Sequence, residues 1–250
     1  MFRPRIIPVL LLNKNILVKS VAFKNYNYIG DPINAVYIFN KLKADELVFL
    51  DISATKENRM ISLDFVKQVG EESNMPFAVG GGIKTLDNIK EVINVGAEKV
   101  VIGTAAITNP NFIKMASERF GSSTISVCVD VRKNFWGNEK IWIKNATQSD
   151  PTNLITFVKL MEENGAGEII IQSIEKDGSM KGYDLELTER VSRAVTIPVV
   201  ALGGAGNINH LKEAYHQSFA NGLAAGSMFV YQGSKKGVLI NYPEKVEKNF

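Results

Sequence analysis

Short β-branched runs alternate along the chain with stretches whose apolar residues recur at helical spacing, the pattern of βα units around a parallel sheet. Strands are predicted near residues 5–11, 46–52, 76–81, 98–103, 124–131, 167–173, 197–202 and 222–226. Eight such strands in 250 residues predict a single closed (β/α)8 TIM barrel. Asp31-Pro32, Asn109-Pro110 and Asp150-Pro151 each set a capping side chain before a proline, which predicts three helix starts. In TLDNIKEVINVG, Leu86, Ile89, Val92 and Ile93 share one face, with Thr85 as the front cap and Gly96 as a left-handed stop. Asp184 opens a similar stripe of Leu187, Val191 and Ala194.

The pattern also repeats. Glu46 and Glu168, Pro76 and Pro198, Gly81 and Gly203, and Gly82 and Gly204 pair at an offset of 122 residues. VDVRKN (129–134) matches LLLNKN (10–15) at 119, so a small insertion is expected after the fifth strand, in the hairpin-like RKNFWGNEKIWIKN (132–145). Two half-barrels of about 1–122 and 123–250 account for these offsets. Asp130 then stands over Leu11, so the chain has one acid where its own duplication suggests two.

Composition narrows the function classes. A hydrophobic fraction of 45% is ordinary for a globular domain, and no apolar run approaches the roughly 20 residues that span a bilayer. MFRPRIIPVLLLNKN has basic residues before an apolar stretch, but no small-residue cleavage site follows, and a first buried strand is expected. A net charge of +3, without a basic aromatic ribbon, argues against nucleic acid. The single cysteine, Cys128, lies in ISVCVDV and is expected to be a buried thiol of a cytoplasmic protein. His210 and His216 fall together in one outer helix, away from any acid–base or metal-binding role, and no metal is expected.

Reactive groups of such barrels sit at the C-terminal ends of the strands. Those ends offer Asp51, Gly80-Gly81-Gly82, Gly103-Thr104, Asp130, Gly203-Gly204-Ala205-Gly206 and Gly226-Ser227. Glycines before a helix N-terminus let a phosphate approach backbone N–H groups. The repeat-related sets (Gly81, Gly82 and Thr104; Gly203, Gly204, Gly226 and Ser227) therefore point to a small ligand with phosphate or a similar acid at both ends, while a lone pair would mark only tight turns. Asp130 is the first candidate for a catalytic group, because a carboxylate ending an apolar strand is costly unless it binds or moves a proton. Asp51 either contacts ligand or orients a loop. Asp177, in EKDGSMKGYD, contacts ligand or shapes a turn, and Lys19, in the long first loop, folds over an anion or is solvated.

At the opposite end, Arg5, Glu46, Lys99 and Glu168 each stand at the start of a strand. Two acids and two bases predict a neutral ring across the barrel bottom, either a salt-bridged plug or a gate for a small molecule.

RIIPVLLL, ADELVFLDIS, VGGGI, GAEKV, GAGEI, DGSMKGYDLELT and ALGGAG together resemble the cyclase (HisF) subunit of imidazole glycerol phosphate synthase, nearly end to end. The resemblance implies a barrel that takes ammonia from a glutaminase (HisH-like) subunit docked on its N-terminal face. There the family uses that ammonia at its C-terminal face, to split and cyclise a bis-phosphorylated ribonucleotide in histidine synthesis, and it implies no cofactor. Arg5, Glu46, Lys99 and Glu168 match the family's ammonia gate, Glu98 its partner contact, and Lys19, Asp51, Asp130 and Asp177 its active face.

Departures concentrate at the reaction face. The family pairs Asp130 with an aspartate where Leu11 stands, and carries asparagine at Gly103, threonine at Gln172 and serine at Leu202. Its His-Gly-Gly stretch is replaced around Lys144-Asn145-Ala146. RIIPVLLLNKN, GDPINAVYIFNK, DGSMKGYDLEL and AAGSMFVYQGSKKGVLINYP are closer to a branch associated with surface-polysaccharide genes, which implies ammonia supply to a sugar amidotransferase forming an acetamidino group. The expectation is an ammonia-conducting subunit serving glycan amidation. The alternatives are the histidine-pathway cyclase and a non-catalytic activator of the glutaminase.

Overall fold

The structure is a computed structural model that describes residues 3–134, 137–233 and 235–244. Eight parallel strands, each at a predicted place, alternate with helices: β1 (Arg5–Asn13), β2 (Leu47–Asp51), β3 (Phe77–Gly80), β4 (Lys99–Ile102), β5 (Ile125–Lys133), β6 (Glu168–Ser173), β7 (Val199–Leu202) and β8 (Gly222–Ala225). Each strand pairs with the next. The β8 to β1 pairing, Arg5 with Gly222 through Pro8 with Ala225, closes the barrel.

Strand alternation divides the apolar residues between two cores. Ile7, Val9, Leu11, Val48, Ala78, Val101, Cys128, Ile170, Val200, Leu202 and Ala224 fill the barrel interior. The intervening residues pack outward against the amphipathic faces of the helices. Leu86, Ile89, Val92 and Ile93 lie on that face of helix Leu86–Asn94, whose Thr85 cap accepts from the Asn88 N–H. Gly96 then ends the turn at φ +119°. Asp31 and Asp184 cap helices Pro32–Leu42 and Leu185–Ala194 as expected.

Two of the helix starts differ in detail. Asp150 ends a short strand, Gln148–Asp150, and its carboxylate accepts from Thr152 N and Oγ1, so it closes a turn. Helix Leu154–Glu163 begins after Asn153, which accepts from Thr156 N. Near Asn109-Pro110, a short helix, Thr104–Thr108, comes first, and Pro110 precedes Asn111–Phe120 without a side-chain cap.

Two hairpins roof the C-terminal end. Ile16–Val21 folds back on β1 and pairs with Lys24–Gly30. After β5 the predicted hairpin is present: Glu139–Ile143 pairs antiparallel with β5, Asp130 opposite Trp142 and Lys133 opposite Glu139. Phe135 and Trp136 of that segment lie outside the described residues, as do Met1, Phe2 and Ser234. Among the described residues no helix is long and apolar enough to cross a membrane.

Candidate functional site

At the N-terminal end the four charged residues meet. The Arg5 guanidinium donates to Glu46 and, at 2.6 Å, to Glu168, while Lys99 Nζ lies 3.0 Å from Glu46 and 3.5 Å from Glu168. Each base thus touches both acids. Ser126 Oγ donates at 2.5 Å to Glu168 Oε1, the oxygen that Lys99 also faces. Burial opposes the ionisation of Glu168, but the charges of Arg5 and Lys99 and the Ser126 hydroxyl outweigh it and hold the carboxyl below the ordinary carboxylate range. The same balance raises Arg5: burial opposes its charge, and Glu168 and Glu46 prevail. Glu98 is exposed beside this ring, one of its oxygens accepting from Phe77 N.

A second set of contacts anchors the backbone on either side of the ring. Tyr242 Oη donates to Ile6 O and accepts from Asp45 N, while Asp45 accepts from Ile6 N and Arg3. The neighbours of Arg5 and Glu46 are therefore tied to one buried tyrosine, whose role no spacing in the sequence announces.

The C-terminal end holds a cavity of about 250 Å³. Its floor is Leu11, Leu50, Val101, Cys128, Asp130 and Gln172, and its rim carries Arg59, Lys84, Gly81, Gly82, Gly103 and Thr104. Tyr26 and Asn145, from the two hairpins, meet over it through an Asn145 Nδ2 to Tyr26 Oη bond of 2.9 Å. Lys144 N donates to Thr104 Oγ1, so the segment around Lys144-Asn145-Ala146 seats the second hairpin on the fourth strand end.

Asp130 lies at the floor of that cavity. Burial pushes its carboxyl up to about 7, an effect that the Cys128 thiol 3.8 Å away opposes and the charge of Asp177 reinforces. Burial likewise pushes the Cys128 thiol well up, so Cys128 is a neutral, weak donor. At neutral pH Asp130 therefore populates acid and carboxylate alike, as a proton-transfer group requires. Leu11 stands in the same floor, 7% exposed, and supplies no second carboxyl.

Asp51 is committed to its loop. Its Oδ1 accepts from Ser53 N, Ser53 Oγ and Ala54 N, and its Oδ2 accepts from Arg59 at 2.5 Å. Its effect on the cavity is to hold the Arg59 guanidinium at the rim; Arg59 has no sequence signal beyond being one basic residue in a loop.

Lys19 and Asp177 come together in a smaller niche with Gly203, Gly204, Gly226 and Ser227. Lys19 Nζ is 3.7 Å from Asp177 Oδ1, and Asp177 Oδ2 accepts from Ser20 Oγ at 2.7 Å. Burial lowers the Lys19 amine below its ordinary value against the pull of Asp177. A side chain on Gly226 would run into Lys19, so the amine lies directly against that strand end.

The repeat-related glycines have matching surroundings. A Cβ added at Gly81 (φ +129°) or Gly203 (φ +94°) would run into the backbone of Asp51 or Ser173, and one added at Gly82 (φ +67°) or Gly204 (φ +113°) into the carbonyl of Arg59 or Gly182. Loop packing alone thus demands glycine there, and the backbone this leaves bare faces the ligand spaces. Gly103 differs, with φ negative and only an ordinary contact to Cys128 O. His210 accepts from Gly206 N through Nδ1, a structural role in the seventh strand-end loop.

Comparison with known proteins gives a consistent result. The family model described as Histidine biosynthesis protein matches residues 5–236. The chain is 43% identical over 249 residues to "Putative imidazole glycerol phosphate synthase subunit HisF" of Leptospira borgpetersenii, covering 99% of this chain and 98% of that one. It is 41% identical over 244 residues to "Putative imidazole glycerol phosphate synthase subunit hisF2" of Pseudomonas aeruginosa, covering 98% and 97%. With the imidazole glycerol phosphate synthase subunit HisF of Streptococcus mutans it shares 38% identity over 231 residues, 92% of each chain. These names agree with the cyclase alternative better than with the glycan expectation.

Proposed function

From the premise that this chain belongs to the HisF family of histidine biosynthesis proteins, we propose that it is the barrel subunit of an imidazole glycerol phosphate synthase. It works with a glutaminase seated on the N-terminal face, where Glu98 is exposed. Ammonia enters through the ring of Arg5, Glu46, Lys99 and Glu168 and crosses the apolar interior as the neutral molecule. It reacts in the C-terminal cavity with a ligand held by phosphate at both ends, one at Gly81, Gly82 and Thr104, the other at Gly203, Gly204, Gly226 and Ser227. Lys19 and Asp177 close over the second end.

The observation that carries this reading is the complete four-residue ring at one end of the barrel, aligned with Asp130 at the other. Asp130 performs both proton transfers: its acid form protonates a leaving nitrogen, and its carboxylate accepts a proton from the incoming amine. The test is to mix the chain with its glutaminase and the family's bis-phosphorylated ribonucleotide. Imidazole product formed from glutamine supports the proposal.

A second reading is favoured by Leu11. One carboxyl instead of two, with Leu202 and Gln172 nearby, suits an ammonia supplier to a sugar amidotransferase that modifies a surface glycan. Glutaminase stimulation with no imidazole product, together with transfer of the glutamine amide nitrogen to a sugar by that third protein, would select it.

A further inference from the structure

We propose that Tyr242 is a positioning residue for the charged ring: with the carboxylate of Asp45, its hydroxyl fixes the backbone that carries Arg5 against the backbone that carries Glu46. The inference rests on the synthase reading above, in which ammonia crosses that ring, and adds to it a residue that stands outside the ring.

The geometry of β1 and β2 creates the need. Their ladder begins at Val9 with Val48 and runs upward to Leu12 with Asp51. Continued downward, the same register sets Ile6 opposite Asp45, below the last ladder pair and next in sequence to Arg5 and Glu46. A closed cycle of hydrogen bonds takes the place of the ladder there. Tyr242 Oη donates to Ile6 O at 2.9 Å and accepts from Asp45 N at 3.0 Å, and Asp45 Oδ2 accepts from Ile6 N at 3.0 Å.

Strand alternation fixes the direction of action. Ile6 packs in the helix-facing core with Phe39, Phe229 and Tyr242, while Ile7 faces the barrel interior. Tyr242 therefore acts from outside the barrel wall, through the peptide that joins Arg5 to Ile6. Its own place is set by packing. The helix after β8, Ser227–Val230, is short, and the chain returns along it, Leu239 N donating to Val230 O and Asn241 N to Phe229 O. The Tyr242 ring then stands edge-on to Phe39 and tilted on Phe229, with centroids 6.4 and 5.6 Å away. Burial, reinforced by the charge of Asp45, pushes its phenol up, so the hydroxyl remains a donor.

Phenylalanine would serve that packing as well; what the hydroxyl adds is the join between the two segments that bear the ring. The join matters because Arg5 must reach Glu46 and Glu168 at once. Glu168 stands on β6, so a shift of the Arg5 backbone relative to Glu46 loosens one contact or the other.

Tyr242→Phe keeps the stacking and removes only the hydroxyl; Asp45→Ala removes the other arm of the cycle and decides if the first variant does not fold. In the chain alone, with isotope-labelled glutamate side chains, NMR titration should show the Glu168 midpoint moving up toward the ordinary carboxylate range as Arg5 is released, by about half a pH unit or more. In the assembled complex, imidazole product from glutamine should fall about threefold or more while product from added ammonium stays within about twofold. A Glu168 midpoint equal to the wild-type value, or an equal loss from both nitrogen sources, overturns the proposal. The titration needs neither glutaminase nor turnover, so its failure is distinct from failure of the synthase reading.

Discussion

Asp130 sets the pH behaviour of the upper face. Its carboxyl is raised from 3.8 to about 7 by burial, so the folded protein holds this proton more tightly than the unfolded chain. The stability it contributes is fully present below about pH 4 and is lost as pH rises through 7. Asp130→Asn should therefore melt higher than wild type at pH 8, by about 3 °C or more, with a smaller difference at pH 5. In turnover the same variant should lose about two to four orders of magnitude. The glycines make a separate test at this scale. Gly82→Ala forces a side chain onto Arg59 O at φ +67° and should cost at least about 2 kcal/mol, whereas Gly103→Ala meets nothing closer than 3.6 Å and should melt within about 2 °C of wild type.

Among the elements, the Ile16–Val21 and Lys24–Gly30 hairpin is the one whose position depends on a distant residue. Asp177 accepts from Ser20 Oγ and Phe23 N, and its carbonyl accepts from Ala22 N. Asp177→Ala should release the hairpin, with amide exchange over residues 16–30 at least about tenfold faster while the barrel strands are unchanged. The strands themselves were legible in the sequence because each is a short apolar run bounded by turn residues. Asp150-Pro151 does not start a helix because Asp150 belongs to an added strand paired with Ile141, a long-range contact that capping rules do not contain. Asp51 shows the same limit: sequence placed it at a strand end, but only folding shows its oxygens committed to Ser53, Ala54 and Arg59.

Across the whole molecule the glycines that pair at an offset of 122 residues stand in like surroundings: a Cβ added at Gly81 or Gly203 would meet the carbonyl of Asp51 or Ser173. The two ends have diverged in different degree. The lower ring keeps a base for each acid, while the upper floor keeps Asp130 and places Leu11 where the duplication expects its partner. Charged rings and glycine cradles are readable because their residue types are costly anywhere else; the Tyr242 clamp on Ile6 and Asp45 is not, because it joins the last described segment to the first strand.

In the proposed function, ammonia made by a glutaminase passes the lower ring to reach Asp130. That passage is tested most directly by comparing imidazole product formed from glutamine with that formed from added ammonium, using the assembled complex and its Arg5→Ala form. Turnover from both nitrogen sources is expected in the wild type. In Arg5→Ala, glutamine-driven product should fall about tenfold or more while ammonium-driven product stays within about twofold. No product from glutamine in the wild type, or an equal loss from both sources in the variant, would contradict it.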